Sequence, residues 1–224
     1  MNTQLTELAF ILDRSGSMES LSESAITGFN AFLKSQQETP GDARLTLALF
    51  DDKYLLHADS LPIQSVAPLD ARTYTPRGST ALLDAIGRTI DDIGTRLSDV
   101  PESECPGKVI IAILTDGLEN ASLKYSMQDI TNRIRHQRDT YQWEFLFLAA
   151  NQDAIATAAG LGINGNDAAN FCAEDAGVIR TTKAISSKLR AMRMSISADA
   201  NRMTQQDKAA INLSMQDLVD SEGK

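Results

Sequence analysis

Two short apolar runs, each followed closely by an aspartate, constrain the fold of this chain more than any other feature. Residues 8–12 lead directly into Asp13, and residues 109–114, the most apolar run of the chain, lead into Thr115 and Asp116. Runs of this length are typical of strands that are buried on both faces, as in parallel sheets. Open sheets of that kind bind ligands outside the carboxyl ends of their strands. If the two strands are neighbours, both aspartates meet at one crevice.

The rest of the chain alternates between strand-like and helix-like segments. We predict strands over residues 6–12, 44–50, 54–58, 108–114, 143–149 and 169–173, and helices over residues 18–37, 80–97, 125–139, 153–160 and 175–196. This alternation predicts an α/β fold, a doubly wound and mostly parallel central sheet with helices on both faces. The hairpin formed by the second and third strands adds one antiparallel edge strand.

The length of 224 residues favours one sizeable α/β core rather than two. We predict one domain over residues 1–198 and a polar C-terminal extension over residues 199–224. Within that extension, residues 204–219 are expected to form a detached or docking helix.

Composition narrows the functional classes. The net charge of −9 argues against a nucleic-acid partner, because a phosphate backbone is bound by basic surfaces. Apolar runs of about six residues are far too short to cross a membrane. Cys105 and Cys172 have no metal-binding spacing, and two lone cysteines suggest a reducing compartment. We therefore expect a cytoplasmic protein.

The turn after the first apolar run carries three oxygen-bearing side chains at alternate positions. Asp13, Ser15 and Ser17 are each two residues apart, and Gly16 allows a tight turn that aims all three at one centre. Carboxylate and hydroxyl oxygens are the ligands that a hard cation such as Mg²⁺ prefers. The alternative is that the two serines only cap the helix that follows.

Two distant segments can supply further ligands. Thr80 lies in a glycine-containing loop before a predicted helix, and Asp116 lies in a Thr-Asp-Gly turn after the second apolar run. Ser79 adjoins Thr80, and we expect it to cap the helix. Glu119 and Asn120 either support the metal ligands or belong to the N-terminal cap of the next helix, and the sequence does not decide between these roles.

With these residues the chain resembles the von Willebrand factor A domain and its metal-ion-dependent adhesion site. The family pattern is D-x-S-x-S, then a threonine in a glycine-containing loop, then an aspartate in a T/S-D-G turn. The five matching residues are Asp13, Ser15, Ser17, Thr80 and Asp116. The resemblance covers roughly residues 5–196. It implies that the five matching residues hold one divalent ion, which we expect to be Mg²⁺, with Mn²⁺ or Ca²⁺ as alternatives.

The resemblance also implies a function. In the family, an Asp or Glu of a partner protein completes the coordination of the ion, so we expect a metal-dependent protein-binding module without catalytic residues. Bacterial stand-alone A domains that this chain resembles are associated with tellurite-resistance and stress operons. The residues themselves identify neither the pathway nor the partner.

Two alternatives stay open beside this expectation. Phosphoryl-transfer enzymes of the haloacid-dehalogenase type also place an aspartate over Mg²⁺ at a strand end, but they need a second aspartate where this chain has Ser15. No phosphate-binding glycine loop with lysine, nucleophile elbow or histidine triad stands in the sequence. The other alternative is a scaffold that keeps only a vestigial site.

Other polar residues suggest only local roles. Asp51 and Asp52 fall in the predicted hairpin turn, where aspartate is common for local reasons. His57 and His136 are isolated from cysteines and paired carboxylates, so they do not predict a zinc site.

Overall fold

A six-stranded sheet forms the centre of the protein. The computed structural model describes residues 1–150, 153–197 and 200–222. The strands are β1 (Asn2–Asp13), β2 (Asp42–Phe50), β3 (Tyr54–Pro62), β4 (Pro106–Thr115), β5 (Glu144–Ala149) and β6 (Ala168–Asn170). They are arranged in the order β3-β2-β1-β4-β5-β6. All neighbours are parallel except β2 and β3, which form the antiparallel edge.

The register of the central strands brings the two predicted aspartate turns together. Strand β1 lies between β2 and β4, with Leu12 opposite Leu114 and Asp13 opposite Phe50. Because β1 and β4 are parallel neighbours, they end side by side at the same edge of the sheet. The residues that follow them therefore share one crevice, as the sequence predicts.

Helices cover both faces of the sheet. The first face carries α1 (Ser22–Glu38), α5 (Asp175–Ile196), α6 (Gln205–Asn212) and α7 (Met215–Ser221). The second carries α2 (Leu82–Ser98), α3 (Met127–Tyr141) and α4 (Ala154–Leu161). Successive side chains of a strand point to opposite faces, so Phe10 packs in the first core and Ile11 in the second. The predicted α/β fold is confirmed.

Several predicted elements differ from the structure in their bounds: the strand predicted over residues 6–12 is Asn2–Asp13, and the strand predicted over residues 54–58 is Tyr54–Pro62. Two further differences have a local cause. The strand predicted over residues 169–173 is Ala168–Asn170 only, because the N–H of Glu174 bonds to the carbonyl of Cys172 in a turn that precedes α5. The single helix predicted over residues 204–219 is two helices, α6 and α7. Leu213 between them is extended, and the Ser214 side chain accepts the N–H of Asp217 to begin α7.

Helices α6 and α7 pack on the first core. Ala210 of α6 and Met215, Leu218 and Val219 of α7 are buried in the same cluster as residues of α5. The predicted domain boundary between residues 198 and 199 falls outside the described residues. No helix in the described part of the chain is long and apolar enough to cross a membrane.

A buried arginine connects α5 to α1. The Arg193 side chain is 2% exposed and donates to the carbonyl oxygens of Gln36 and Gly41 at 2.7 and 3.0 Å, close to the end of α1. Burial lowers the pKa of Arg193 to about 10. These bonds hold the end of α1 and the chain that follows it against α5.

Candidate metal centre

Asp13 is the last residue of β1 and is fully buried. Its Oδ1 atom accepts the N–H of Ser15 at 2.6 Å, and its Oδ2 atom accepts the hydroxyl of Thr115 at 2.5 Å. The hydroxyl of Tyr74 donates to the carbonyl oxygen of Asp13. The carboxylate is therefore held between its own turn and the end of β4.

The serine hydroxyls connect this turn to Asp116. The Oγ atoms of Ser15 and Ser17 lie 3.1 Å apart, and the hydroxyl of Ser17 donates to Oδ1 of Asp116 at 2.6 Å. Ser15 occupies the cap position of the 3₁₀ turn Gly16–Leu21, yet its side chain makes no capping hydrogen bond. For Ser15 the capping alternative is therefore wrong, and its hydroxyl lies toward Ser17.

Thr80 completes the group from a third loop. It is 3% exposed and lies beside Gly117, the residue after Asp116. A Cβ atom added to Gly117 would lie 2.8 Å from Oγ1 of Thr80 and 3.5 Å from Oγ of Ser17. Both hydroxyls therefore approach one backbone position, where a side chain would not fit.

The structure thus gathers the three hydroxyls and two carboxylates that the sequence predicts as ligands. In the described residues, no three His, Cys, Asp or Glu side chains form a metal-binding cluster. A cation at this position would depend on the hydroxyls of Ser15, Ser17 and Thr80 as well as on the carboxylates. Their role as metal ligands stays a prediction.

Glu119 and Asn120 hold the Thr80 loop in place. Oδ1 of Asn120 accepts the N–H of Thr80 at 2.9 Å, and the N–H of Asn120 donates to the carbonyl of Thr80 at 3.1 Å. The Glu119 carboxylate accepts the N–H of Leu83, in the first turn of α2, at 2.9 Å. The two residues therefore support a predicted ligand, and helix α3 is capped instead by a box of Ser126 and Asp129.

The cap predicted at Ser79 is wrong. Helix α2 has Ala81 at its cap position, with no side-chain capping bond. Ser79 is exposed. Glu119, from the loop after β4, takes the free N–H of Leu83 and leaves Ser79 without this role.

Asp51 has a role that sequence reasoning missed. It is fully buried and accepts Nη2 of Arg14 and Nε of Arg77, both at 3.0 Å. Its carbonyl oxygen accepts the N–H of Ala81 at 2.9 Å. The predicted local turn is present, since the Asp51 carboxylate also accepts the N–H of Lys53. One aspartate of the β2–β3 turn thus connects the Asp13 turn to the Thr80 loop.

The two predicted carboxylate ligands lie in an environment that disfavours their ionised forms. Burial raises the pKa of Asp13 to about 6, although hydrogen bonds from Thr115 and Ser15 act in the opposite direction. Burial also raises the pKa of Asp116, and the bond from Ser17 opposes it. A nearby cation would favour both ionised forms. The donor set, all oxygen, fits a hard divalent cation.

No family model and no curated protein matches this chain. Several solved structures do. One is proximal thread matrix protein 1 (PTMP1) of the mussel byssus with a zinc-occupied MIDAS motif, at a TM-score of 0.55 and 14% identity, covering 81% of this chain and 44% of that chain. This chain therefore spans less than half the length of PTMP1.

Two further structures are similar over more of their own length. The vWF domain of the type V pili tip protein Mfa5 from Porphyromonas gingivalis gives a TM-score of 0.56 at 11% identity, covering 80% of this chain and 94% of that chain. The manganese-loaded TRAP protein of Plasmodium vivax has a TM-score of 0.54 at 17% identity, and the match covers 79% of this chain and 72% of that chain. With the sheet order and helix layers described above, these similarities show that the chain has the fold of a von Willebrand factor A domain.

Proposed function

We propose that this protein is a divalent-metal-dependent protein-binding module. Asp13, Ser15, Ser17, Thr80 and Asp116 would hold one ion, and an Asp or Glu of a partner protein would complete its coordination. The observation that carries the proposal is the convergence of three hydroxyls and two carboxylates at the carboxyl edge of β1 and β4. The zinc-occupied MIDAS motif of PTMP1 and the manganese-loaded TRAP protein, which share this fold, support a divalent ion in this chain.

The charge of the ligand set favours binding of an external carboxylate. Only two of the five residues are charged, and Mg²⁺ usually keeps several waters when few protein groups coordinate it. When bound, the ion supplies an electrophilic position that a carboxylate oxygen of a partner can fill. We propose Mg²⁺ as the cellular ion because every donor is a hard oxygen, with Mn²⁺ or Ca²⁺ as alternatives.

The residues around the ligands fix them before a partner arrives. Thr115 holds the Asp13 carboxylate, Asn120 holds the backbone of Thr80, and Asp51 connects the two loops through Arg14. Groups that orient ligands in this way commonly account for a large part of metal affinity. The site is therefore preorganised for one ion.

We propose binding rather than catalysis as the activity. Ser15 occupies the position, two residues after the strand-end aspartate, at which phosphoryl-transfer enzymes of the haloacid-dehalogenase type need a second aspartate. The two histidines lie on other elements: His57 on β3 contacts the carbonyl of Ala67, and His136 on α3 packs against Tyr141. A role in a bacterial cytoplasmic stress or tellurite-resistance system belongs to the same proposal and rests on resemblance alone. The neighbouring genes would test that part.

Affinity capture of protein partners, with and without EDTA, tests the proposed activity. We expect a specific partner to bind the protein in Mg²⁺, to dissociate in EDTA, and to be lost with Thr80→Ala. Ser79→Ala is the matched control, because it removes the adjacent but exposed hydroxyl. Partner capture that is indifferent to EDTA and to Thr80→Ala would indicate the scaffold instead.

Turnover assays test the enzyme alternative. The substrates are p-nitrophenyl phosphate and bis(p-nitrophenyl) phosphate, with Mg²⁺ or Mn²⁺ present. We expect no hydrolysis above the buffer rate. Hydrolysis that requires both the metal and Asp13 would contradict the binding proposal.

A further inference from the structure

The loop between β4 and α3 reverses the usual distribution of polar and apolar side chains. Its polar residues Glu119, Asn120 and Ser122 are hydrogen-bonded to other parts of the protein. Its two leucines face solvent instead, with Leu118 61% exposed and Leu123 94% exposed. Single exposed leucines are common on proteins, but two on one loop beside a candidate site suggest a contact surface.

This loop is held firmly, so the exposure of the leucines does not come from a loose chain. The Glu119 carboxylate accepts the N–H groups of Ala121 and Ser122 at 3.0 and 2.8 Å. The Asp84 carboxylate, in the first turn of α2, accepts the N–H groups of Leu123, Lys124 and Tyr125 at 2.9–3.0 Å. The backbone that carries both leucines is thus fixed on α2.

Leu118 follows the candidate metal centre directly in the chain, and Leu123 is held on the first turn of the helix after Thr80. Leu118 follows Gly117, whose added Cβ atom would lie 2.8 Å from the Thr80 hydroxyl. The N–H of Leu123 donates to the carboxylate of Asp84, in the first turn of α2, a helix that begins two residues after Thr80. Lys124 is exposed next to Leu123. Its positive charge favours an acidic partner locally, against the overall charge of −9.

We infer that Leu118 and Leu123 form an apolar rim that binds the side chains flanking the partner's acidic residue. This inference rests on the proposed function and specifies its partner. The partner is a protein segment in which the Asp or Glu that reaches the ion lies beside large aliphatic or aromatic side chains. A metal–carboxylate bond alone is available to any exposed acidic residue, so the apolar rim supplies the discrimination.

Selection from a library of random twelve-residue peptides on phage tests the inference. The Mg²⁺-loaded protein is the target, and bound phage are eluted with EDTA. The same selection uses the double variant Leu118→Ser/Leu123→Ser. Leu61→Ser is the matched control, since Leu61 is 38% exposed and pairs with Leu45, five residues before the end of β2. Calorimetry with Mn²⁺ on all three proteins reports whether the metal site is intact.

The inference predicts that EDTA-eluted peptides combine an acidic residue with a neighbouring large apolar residue. A synthetic peptide of that consensus should bind the double variant at least tenfold more weakly, a loss of about 1.4 kcal/mol. It should bind the Leu61→Ser variant with unchanged affinity. Mn²⁺ affinity should be the same in all three proteins.

Other outcomes overturn the inference in distinguishable ways. An acidic consensus without apolar neighbours, or equal peptide affinity for the double variant, refutes the rim and leaves the proposed function standing. Absence of Mn²⁺ binding, or of any EDTA-eluted peptide, refutes the proposed function together with the rim. A wild-type dimer in sedimentation that the double variant converts to a monomer would assign the leucines to a second copy of the chain.

Discussion

Replacement of Asp13 by asparagine should stabilise the metal-free protein while it removes the metal site. In the folded protein the pKa of Asp13 is raised from 3.8 to about 6, chiefly by burial. The protonated carboxyl therefore favours the folded state, and the free energy of unfolding falls as the pH rises from about 4 through 6. The difference of about 2 pH units corresponds to about 3 kcal/mol above pH 6. Asparagine is neutral at every pH and avoids this cost.

The hydrogen bonds around Asp13 allow the substitution. The side-chain oxygen of asparagine can accept the N–H of Ser15, as Oδ1 of Asp13 does at 2.6 Å. The side-chain NH₂ then faces Thr115, whose hydroxyl can accept from it while donating to the carbonyl of Gly117 at 3.2 Å. Ser15 and Thr115 thus each keep a hydrogen-bond partner at position 13. The second N–H of the amide needs an acceptor of its own, so about 3 kcal/mol is the upper limit of the gain.

Urea unfolding in EDTA, followed by the fluorescence of the single tryptophan Trp143, measures this effect. Asp13→Asn should be more stable than the wild type by up to about 3 kcal/mol at pH 7.5, and the difference should shrink toward zero near pH 4. Saturating Mg²⁺ should stabilise the wild type only, by about 2.7 kcal/mol at 100 times the dissociation constant.

An exposed aspartate provides the control for this prediction. Asp52→Asn removes the same charge from an exposed neighbour of the site and should change stability by less than about 0.5 kcal/mol. An Asp13→Asn variant that is less stable than the wild type in EDTA at pH 7.5 would contradict the proposed cost of the buried charge. A stability difference that does not change with pH would also refute it.

Two further predictions concern packing away from the site. Arg193→Met should lower the free energy of unfolding by roughly 2–4 kcal/mol because it removes the buried donor that bonds to the side-chain and backbone oxygens of Gln36, whereas Arg180→Met, at a more exposed ion pair, should cost less than about 1 kcal/mol. Equal losses of unfolding free energy in the two variants, measured by urea unfolding, would contradict this prediction. Gly160→Ala should raise the melting temperature because nothing lies within 4 Å of the added Cβ atom and alanine favours helices by about 0.5–1 kcal/mol. Gly177→Ala should lower it, because its Cβ atom would lie 2.0 Å from the carbonyl oxygen of Cys172; the reverse order in calorimetric melting would refute the packing described for α5.

The sheet and the ligand loops were predictable because their signals are local. An uninterrupted apolar run followed by an aspartate marks a buried strand and its end, and parallel strands must end at one edge. The pattern of residues 13–17 needed only the spacing of three side chains. Short elements gave weaker signals: the last strand contains three residues, and Ser214 divides the helix predicted over residues 204–219.

The supporting residues were not predictable because their partners are distant in the chain. In the sequence Asp51 is indistinguishable from an ordinary turn residue, because the arginines that pair with it, Arg14 and Arg77, lie on two other loops. The hydroxyl of Tyr74, in the segment between β3 and α2, reaches the carbonyl of Asp13 only in the folded state. Glu119 could have capped α3 by its position, and only the approach of α2 decides its role. The sequence did offer one signal for a shared buried carboxylate: each of two predicted ligand loops contains an arginine, Arg14 beside Asp13 and Arg77 before Thr80.

Isothermal titration calorimetry of Mg²⁺ into EDTA-stripped protein tests the metal site most directly. We expect one site per chain in the wild type and in Ser79→Ala. We expect no binding heat in Asp13→Ala, with circular dichroism confirming that this variant is folded. An isotherm for Asp13→Ala that matches the wild type would contradict the metal centre described here.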